Sequence, residues 1–332
     1  MTNLRLYDNT RVSDYRRCPR YYMFRHEFNW TPKETRVPLI FGGAWHAAQE
    51  VIWASMGKLQ KRELATRAYG AFLQHWCGEG MPAPADMDYE MEKELSPRTP
   101  GRALEMIVAY IDKRWTNAAD FEVIAIERPF VVPLDPDDDS LFYCGRIDKI
   151  VRRRGKVLGI EHKTSSEYRK NGPFKSTFLE SFSPNSQVDG YLYALHMMFP
   201  NEVGGVWVDA ALVHKTEEGF AFIPIEKQMD HLDSWLYDTL WWIKQIEEEK
   251  AKLEAERQVQ GRSRYLQAFP KRTSACRDFG ALCQYLDLCK AWPNPVGKPL
   301  PPGFIEEKWN PMDHIKGLGD IVEDEGADTH NE

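Results

Sequence analysis

The chain has 332 residues, with 43 Lys and Arg against 50 Asp and Glu, a formal net charge of −7, and 42% hydrophobic and 28% charged residues. That is ordinary globular composition with enough apolar mass for a sizeable core, and it excludes global disorder, collagen and coiled coil. Asp320, Glu323, Asp324, Glu325, Asp328 and Glu332 all fall within residues 317–332, so the rest of the chain is close to neutral and charge alone decides nothing about nucleic acid. No apolar run is long enough to span a bilayer, and Met1-Thr2-Asn3-Leu4-Arg5 lacks the apolar stretch of a signal peptide. A cytoplasmic protein is expected, in which the six cysteines suit metal ligation or burial better than disulfides.

In chain order, residues 13–25 interleave arginines with aromatics; Ser13 is the expected N-cap of a short helix that Pro19 interrupts. After Phe41-Gly42-Gly43, Trp45, Ala48, Gln49, Ile52 and Trp53 recur at helical spacing, and further helices are expected near 62–77 and 101–118, with a Pro-rich loop at Met81-Pro82-Ala83-Pro84 between them. From 122 the pattern changes to strands: 122–132, 141–151 and, after the turn signal Arg152-Arg153-Arg154-Gly155, 156–164. A helix at 185–199, strands at 204–214 and 219–225, and a long helix at 226–258 follow. The long helix carries an apolar stripe of Trp235, Leu236, Leu240, Ile243 and Ile246. The fold class expected is α/β, a mixed sheet flanked by helices with a helical insertion. One domain spans 1–305, in stretches 1–40, 44–120, 121–225 and 226–305, and an acidic, disordered tail occupies 306–332.

The strands around Arg154-Gly155 carry chemistry. A two-residue turn there sets Asp148 opposite Glu161; a register shifted by one pair sets Asp148 opposite Gly159 and leaves Glu161 as its diagonal neighbour. Either way two carboxylates come within reach of one ion, and Lys163, two residues on, points to the same face. A hard divalent cation takes oxygen ligands, binds a phosphate oxygen and lowers the pKa of a bound water. A nearby lysine orients that water or neutralises phosphate charge. A surface ion pair worth at most about 1 kcal/mol is the plainer reading of the same residues.

Gly145-Arg146-Ile147-Asp148 followed by Ile160-Glu161-His162-Lys163-Thr164 resembles the core of the PD-(D/E)XK nuclease superfamily, and within it the RecB-like branch of AddB-type and CRISPR-adaptation exonucleases. Three further pieces are similar to that branch and in its order. Gly42-Gly43-Ala44-Trp45-His46 resembles its upstream histidine motif at a helix start, and Glu127-Arg128-Pro129-Phe130 the strand before the catalytic hairpin. Gln187-Val188-Asp189-Gly190-Tyr191 resembles its Q-x-x-x-Y helix, with two polar side chains one turn apart. The resemblance implies a restriction-endonuclease-like core, Mg2+ or Mn2+ as cofactor, and His46, Asp148, Glu161 and the backbone carbonyl of His162 as metal ligands. It also implies Lys163 as the catalytic lysine, with Gln187 and Tyr191 positioning it or the DNA. Glu50, one turn after His46, reads more simply as a solvated helix face.

Cys276, Cys283 and Cys289 lie close together, and Cys18 stands far upstream. Branch members with an iron–sulfur cluster have one cysteine before the nuclease core and three after it, usually spaced C-x2-C-x5-C rather than the C-x6-C-x5-C found here. The resemblance therefore implies a 4Fe-4S cluster stapling a helical lobe, and four thiolates also suit structural Zn2+. Cys77 and Cys144 are expected to be plain buried thiols. Arg16, Arg17, Arg20 and Tyr21, within a cluster that includes Arg11, Arg25, Tyr15, Tyr22 and Phe24, have the composition of a single-strand groove; Lys170, Lys175, Lys271 and Arg272 are weaker candidates. The expectation is a metal-dependent DNA nuclease acting on single strands or ends in recombination or repair. Its partners would be DNA and a helicase, recombinase or single-strand-binding protein, with no membrane. The alternative is a catalytically idle, cluster-bearing DNA-binding subunit.

Overall fold

A computed structural model describes residues 4–310 except 35, 170–171, 260–261 and 279–280. In chain order they form β1 (Arg5–Tyr7), α1 (Asn9–Arg17), α2 (Pro19–Tyr22) running into a π-helical turn, β2 (Trp30–Pro32), α3 (Val37–Ser55), α4 (Lys61–Gly78), α5 (Tyr89–Leu95) and α6 (Pro100–Trp115). Then come β3 (Glu122–Pro133), β4 (Leu141–Arg153), β5 (Lys156–Ser165), α7 (Ser176–Glu180), α8 (Ser186–Met198), β6 (Val203–Leu212) and β7 (Phe220–Ile225). The chain continues through α9 (Met229–Gln258), β8 (Arg277–Asp278), β9 (Ala281–Leu282), α10 (Leu286–Ala291) and β10 (Phe304–Glu306). Lys170 and residues 311–332, where most of the expected acidic tail falls, lie outside the described residues.

Two compact units are built from interleaved segments, and neither coincides with the stretches read from the sequence. The first comprises Met1–Glu34, Pro129–Arg146 and Asp233–Glu332; the second comprises Thr35–Arg128 and Ile147–Leu232.

In the second unit β4 and β5 are antiparallel, β5 and β6 parallel, and β6 and β7 antiparallel, a mixed sheet with helices packed on it. Helix α3 packs with α4 and α6 through Phe41, Trp45, Ile52, Phe72, Trp76 and Ile107. Its Trp53 meets Val151, Leu158 and Ile160 of the sheet. These contacts seat α3 over β5. Local rules explain where the helices begin: Thr99 caps α6 by accepting from the Arg102 N–H with Pro100 following it, and Asn185 caps α8 by accepting from the Gln187 and Val188 N–H groups.

In the first unit β1 runs parallel to the start of β4, with Arg5 paired to Leu141. This short strand was not expected from sequence. Helix α1 is capped by Asp8, which accepts from the Arg11 N–H, and not by Ser13, which lies inside the helix. Asp8 wins because its side chain precedes a whole helical turn of free N–H donors. The expected tail does not begin at 306. Glu306 ends a strand paired with β2, the Glu307 N–H donates to the Asn29 carbonyl at 2.7 Å, and Trp309 Nε1 donates to Asp8 at 3.1 Å.

Candidate active site

Arg154 and Gly155 both have positive φ, 49° and 77°, which gives the tight turn whose twist matches a hairpin. The ladder runs from Arg153 paired with Lys156 to Lys149 paired with Ile160. Asp148 and Glu161 are the next pair, the first of the two registers expected. Asp148 Oδ2 also accepts the His162 N–H at 2.8 Å. Glu161 is buried and ion-paired with the Lys163 ammonium. Lys163 Nζ donates to Gln187 Oε1 at 3.0 Å, and Gln187 Nε2 donates to the Tyr191 hydroxyl at 3.1 Å. The Q-x-x-x-Y pair thus stands one turn apart on α8 with its first member on the lysine.

His46 completes the group from α3. Its Nδ1 lies 3.3 Å from Asp148 Oδ2 and its Nε2 lies 3.0 Å from the His162 carbonyl oxygen. Gly42 and Gly43 are not a helix start, since α3 begins at Val37. At Gly43 the two helices pass closely: a Cβ there would meet His75 Nε2 at 2.4 Å, so the half-buried His75 ring would have to swing aside for any larger residue.

Sequence reasoning passed over two residues here. Glu127 was read only as part of a strand, yet its carboxylate lies with His46 and Asp148 in a group whose ligand atoms are all within 4.8 Å of one another. Its φ of 51° is left-handed within β3, a local kink of the kind that re-aims a side chain. A charged residue in a Val- and Ile-rich strand was the available signal. Lys149 is fully buried and its ammonium makes no hydrogen bond among the described residues. Burial lowers its pKa against the pull of Asp148, Glu127, Glu50 and Asp209. Glu50, expected on a solvated face, is half-buried and belongs to this charged surround.

The electrostatics follow from that crowding. Burial opposes the charge on Asp148, but His46 outweighs it and holds the carboxyl well below the ordinary carboxylate range. Burial likewise opposes the His46 imidazolium, yet Asp148 and Glu161 raise its pKa. Glu161 is raised by burial and by the charge of Asp148, and Lys163 is raised because Glu161 overcomes burial. One Glu161 oxygen, Oε2, is buried and accepts no hydrogen bond among the described residues. A buried carboxylate oxygen without a donor is costly, and a hard cation would satisfy it. Carboxylates, a carbonyl and an imidazole suit such an ion.

The PD-(D/E)XK nuclease superfamily model matches residues 9–290. The chain belongs to that superfamily. Among solved structures it is similar to a "putative exonuclease" from Eubacterium rectale, at 12% identity and a TM-score of 0.48, over 96% of this chain and 94% of that one. It is also similar to the protein SSO0001, at 14% identity and a TM-score of 0.28, over 73% and 77%. A search of curated proteins finds no match. The superfamily's nucleases use divalent metals, and the mixed sheet flanked by helices is consistent with its core. No helix among the described residues is long and apolar enough to cross a membrane.

Of the cysteines of this PD-(D/E)XK chain, Cys18, Cys144, Cys276, Cys283 and Cys289 lie in the first unit and Cys77 in the second. Cys276 and Cys283 flank the β8–β9 ladder, in which Arg277 pairs with Leu282, so they form its next pair; the Cys283 N–H donates to the Cys276 carbonyl at 3.0 Å. Cys18 Sγ accepts from the Arg272 N–H at 3.4 Å. Burial raises Cys283, with Cys18 and Cys276 adding to it, and raises Cys289 to about 11, with Cys18 and Cys283 adding to it. The four thiols are neighbours, but no three of their sulfurs lie mutually within 4.8 Å, so they are not an assembled ligand set. Cys144 is buried as expected, whereas Cys77 is exposed at the end of α4.

The expected DNA-binding group divides. Arg20 is 2% exposed and donates to the carbonyls of Phe269 (2.9 Å) and Ala268 (3.4 Å). Tyr21 is buried edge-on against Tyr285, and Tyr15, Tyr22 and Phe24 are core. These residues cannot stack bases, because the unit closes its own core with them. Arg16 is exposed, with its guanidinium 5.7 Å from the Trp242 ring, and Arg17 lies half-buried over Tyr21. Lys271 Nζ donates to the Cys289 carbonyl at 2.6 Å and Arg272 binds the Arg16 carbonyl. Lys175 is ion-paired with Glu167 in the other unit.

Proposed function

We propose that the protein is a divalent-metal-dependent deoxyribonuclease of the RecB-like branch, hydrolysing phosphodiester bonds in single strands or at DNA ends during recombination or repair. The observation that carries this reading is the convergence of Asp148, Glu161 and Lys163 on one hairpin face with His46 and the His162 carbonyl. His46, Asp148, Glu161 and the His162 carbonyl would hold Mg2+ or Mn2+, together with Glu127, whose carboxylate lies within 4.8 Å of the His46 and Asp148 ligand atoms. The bound ion would supply a Lewis acid and a water of lowered pKa. Lys163, held by Glu161 and Gln187, stabilises charge growing on the phosphate, while Tyr191 keeps the Gln187 amide turned toward the lysine.

For the thiols we place a 4Fe-4S cluster on Cys18, Cys276, Cys283 and Cys289, ahead of Zn2+. Burial favours the protonated form of Cys283 and Cys289, so a strong cation would be needed to convert them to thiolates.

The test is a time course on single- and double-stranded DNA labelled at either end, with Mg2+, Mn2+ or Ca2+. Cleavage is expected with the first two and binding alone with Ca2+. Asp148→Ala and Lys163→Ala should each lose at least about a thousandfold in rate, the equivalent of several kcal/mol at the transition state, with DNA affinity kept. Full activity in both variants would sink the assignment. DNA binding without cleavage under any metal would make the protein an idle subunit instead.

A further inference from the structure

His162 is held from two directions. Its main chain serves the site, with the N–H on Asp148 and the carbonyl facing His46 Nε2. Its side chain enters the opposite face of the sheet, where parallel pairing sets it beside Asp209 of β6, and its Nδ1 lies 3.4 Å from Asp209 Oδ2. Asp209 accepts from Arg114 Nη2 at 2.5 Å and from the Tyr110 hydroxyl, both on α6 and one turn apart. Trp53 Nε1 of α3 donates to the Tyr110 hydroxyl at 3.0 Å.

The contacts form a circuit whose loosest member is the His162–Asp209 approach, at 3.4 Å and outside hydrogen-bond geometry among the described residues. Helix α3 reaches residue 162 directly through His46 and again, two turns later, through Trp53, Tyr110 and Asp209. His162 and Tyr110 are essentially inaccessible, Asp209 is 1% exposed and Arg114 8%. Charged groups this deep cost more than apolar ones of equal volume, and the buried Ile160 and Ala211, each two residues along on the same face, show that the sheet accepts apolar residues here. Something other than packing keeps the polar set. What it fixes is the tilt of the His162 peptide, because turning that peptide would break the Asp148 and His46 contacts together.

We infer that Asp209 is a positioning residue of the metal site, acting through the His162 ring on the peptide that supplies a carbonyl ligand and orients Asp148. The inference rests on the proposed ligand set. Its test is Mn2+ titration of the full chain without DNA, together with amide exchange at His162 in metal-free protein. Asp209→Asn is expected to weaken Mn2+ binding about 10- to 100-fold, the usual cost of losing an outer partner of a metal ligand. The same variant should speed exchange of the His162 N–H and regain most of its cleavage rate at saturating Mn2+. If Asp209→Asn does not fold, His162→Phe keeps the ring volume and the peptide and carries the same expectation. A folded variant with wild-type Mn2+ affinity and wild-type exchange overturns the inference. Wild-type protein that binds Mn2+ through Asp148 yet cuts no DNA defeats the nuclease reading alone, whereas absence of Mn2+ binding defeats both.

Discussion

The two units bring metal-ligating residues together in different ways. In the nuclease unit each candidate ligand is already held by another group of the chain: Asp148 by the His162 N–H, His46 by Asp148, and Glu161 by Lys163. In the cysteine unit burial, with Cys18 adding to it, raises Cys283 and Cys289, and no three of the four sulfurs lie mutually within 4.8 Å. Oxygen and nitrogen ligands accept or donate strong hydrogen bonds, so ordinary protein groups can arrange them in advance. Thiols form only weak ones, so in the proposed cluster the metal would supply the force that gathers them. Removing the metal should therefore unfold one unit and leave the other standing.

The largest expected effect tests that contrast directly. Changing Cys18, Cys276, Cys283 or Cys289 to Ser should strip iron from anaerobically purified protein and lower its melting temperature sharply, because structural metal binding contributes on the order of 10 kcal/mol to folding. Cys77→Ser, at an exposed position, should change neither iron content nor melting; Cys144→Ser should cost about 1 kcal/mol at most. Stable, metal-free protein with all four cysteines replaced would erase the difference between the units. One zinc per chain in place of iron would keep the staple and change its ion.

A second effect is shared by the units. His162 is pushed down to about 4 by burial, and His26, 2.9 Å from Asp14, is also lowered by burial. A histidine whose pKa falls on folding gives stability that is complete above about 6.5 and is lost as pH drops through the folded value. Metal-free protein should thus melt earlier from pH 6.5 toward 4 by calorimetry. His162→Phe should flatten that slope by roughly 3 kcal/mol or less, and His26→Phe should flatten the remainder. Unchanged slopes in both would mean that carboxylates control the acid transition.

The smallest effect separates two neighbouring arginines. Arg16→Ala should weaken DNA binding severalfold and reduce its salt slope by about 1. Arg20→Ala should instead lower stability, because the Phe269 and Ala268 carbonyls lose a buried donor. Equal salt slopes for wild type and Arg16→Ala would remove this region from the DNA path.

Local rules made part of this protein legible from its residues alone. The hairpin register followed from a two-residue turn and a period of two, so Asp148, Glu161 and Lys163 could be set on one face before any fold was known. The helix at 185–199 needed only its apolar spacing, and one turn of it places Gln187 and Tyr191 together. Arginine–aromatic composition misled at residues 15–24, because composition does not say which rings close a core. Only packing between distant segments could bury Tyr21 against Tyr285 and turn Arg20 onto residues 268 and 269.

The sequence by itself determined the mixed α/β class, the order of most elements and the carboxylate–lysine hairpin, because each depends on interactions within a few residues. Only the closed fold set the Glu127 carboxylate beside His46 and Asp148 and put Asp209 behind His162. Those placements join residues dozens of positions apart, where periodicity carries no signal and only the shape of the closed core sets who meets whom.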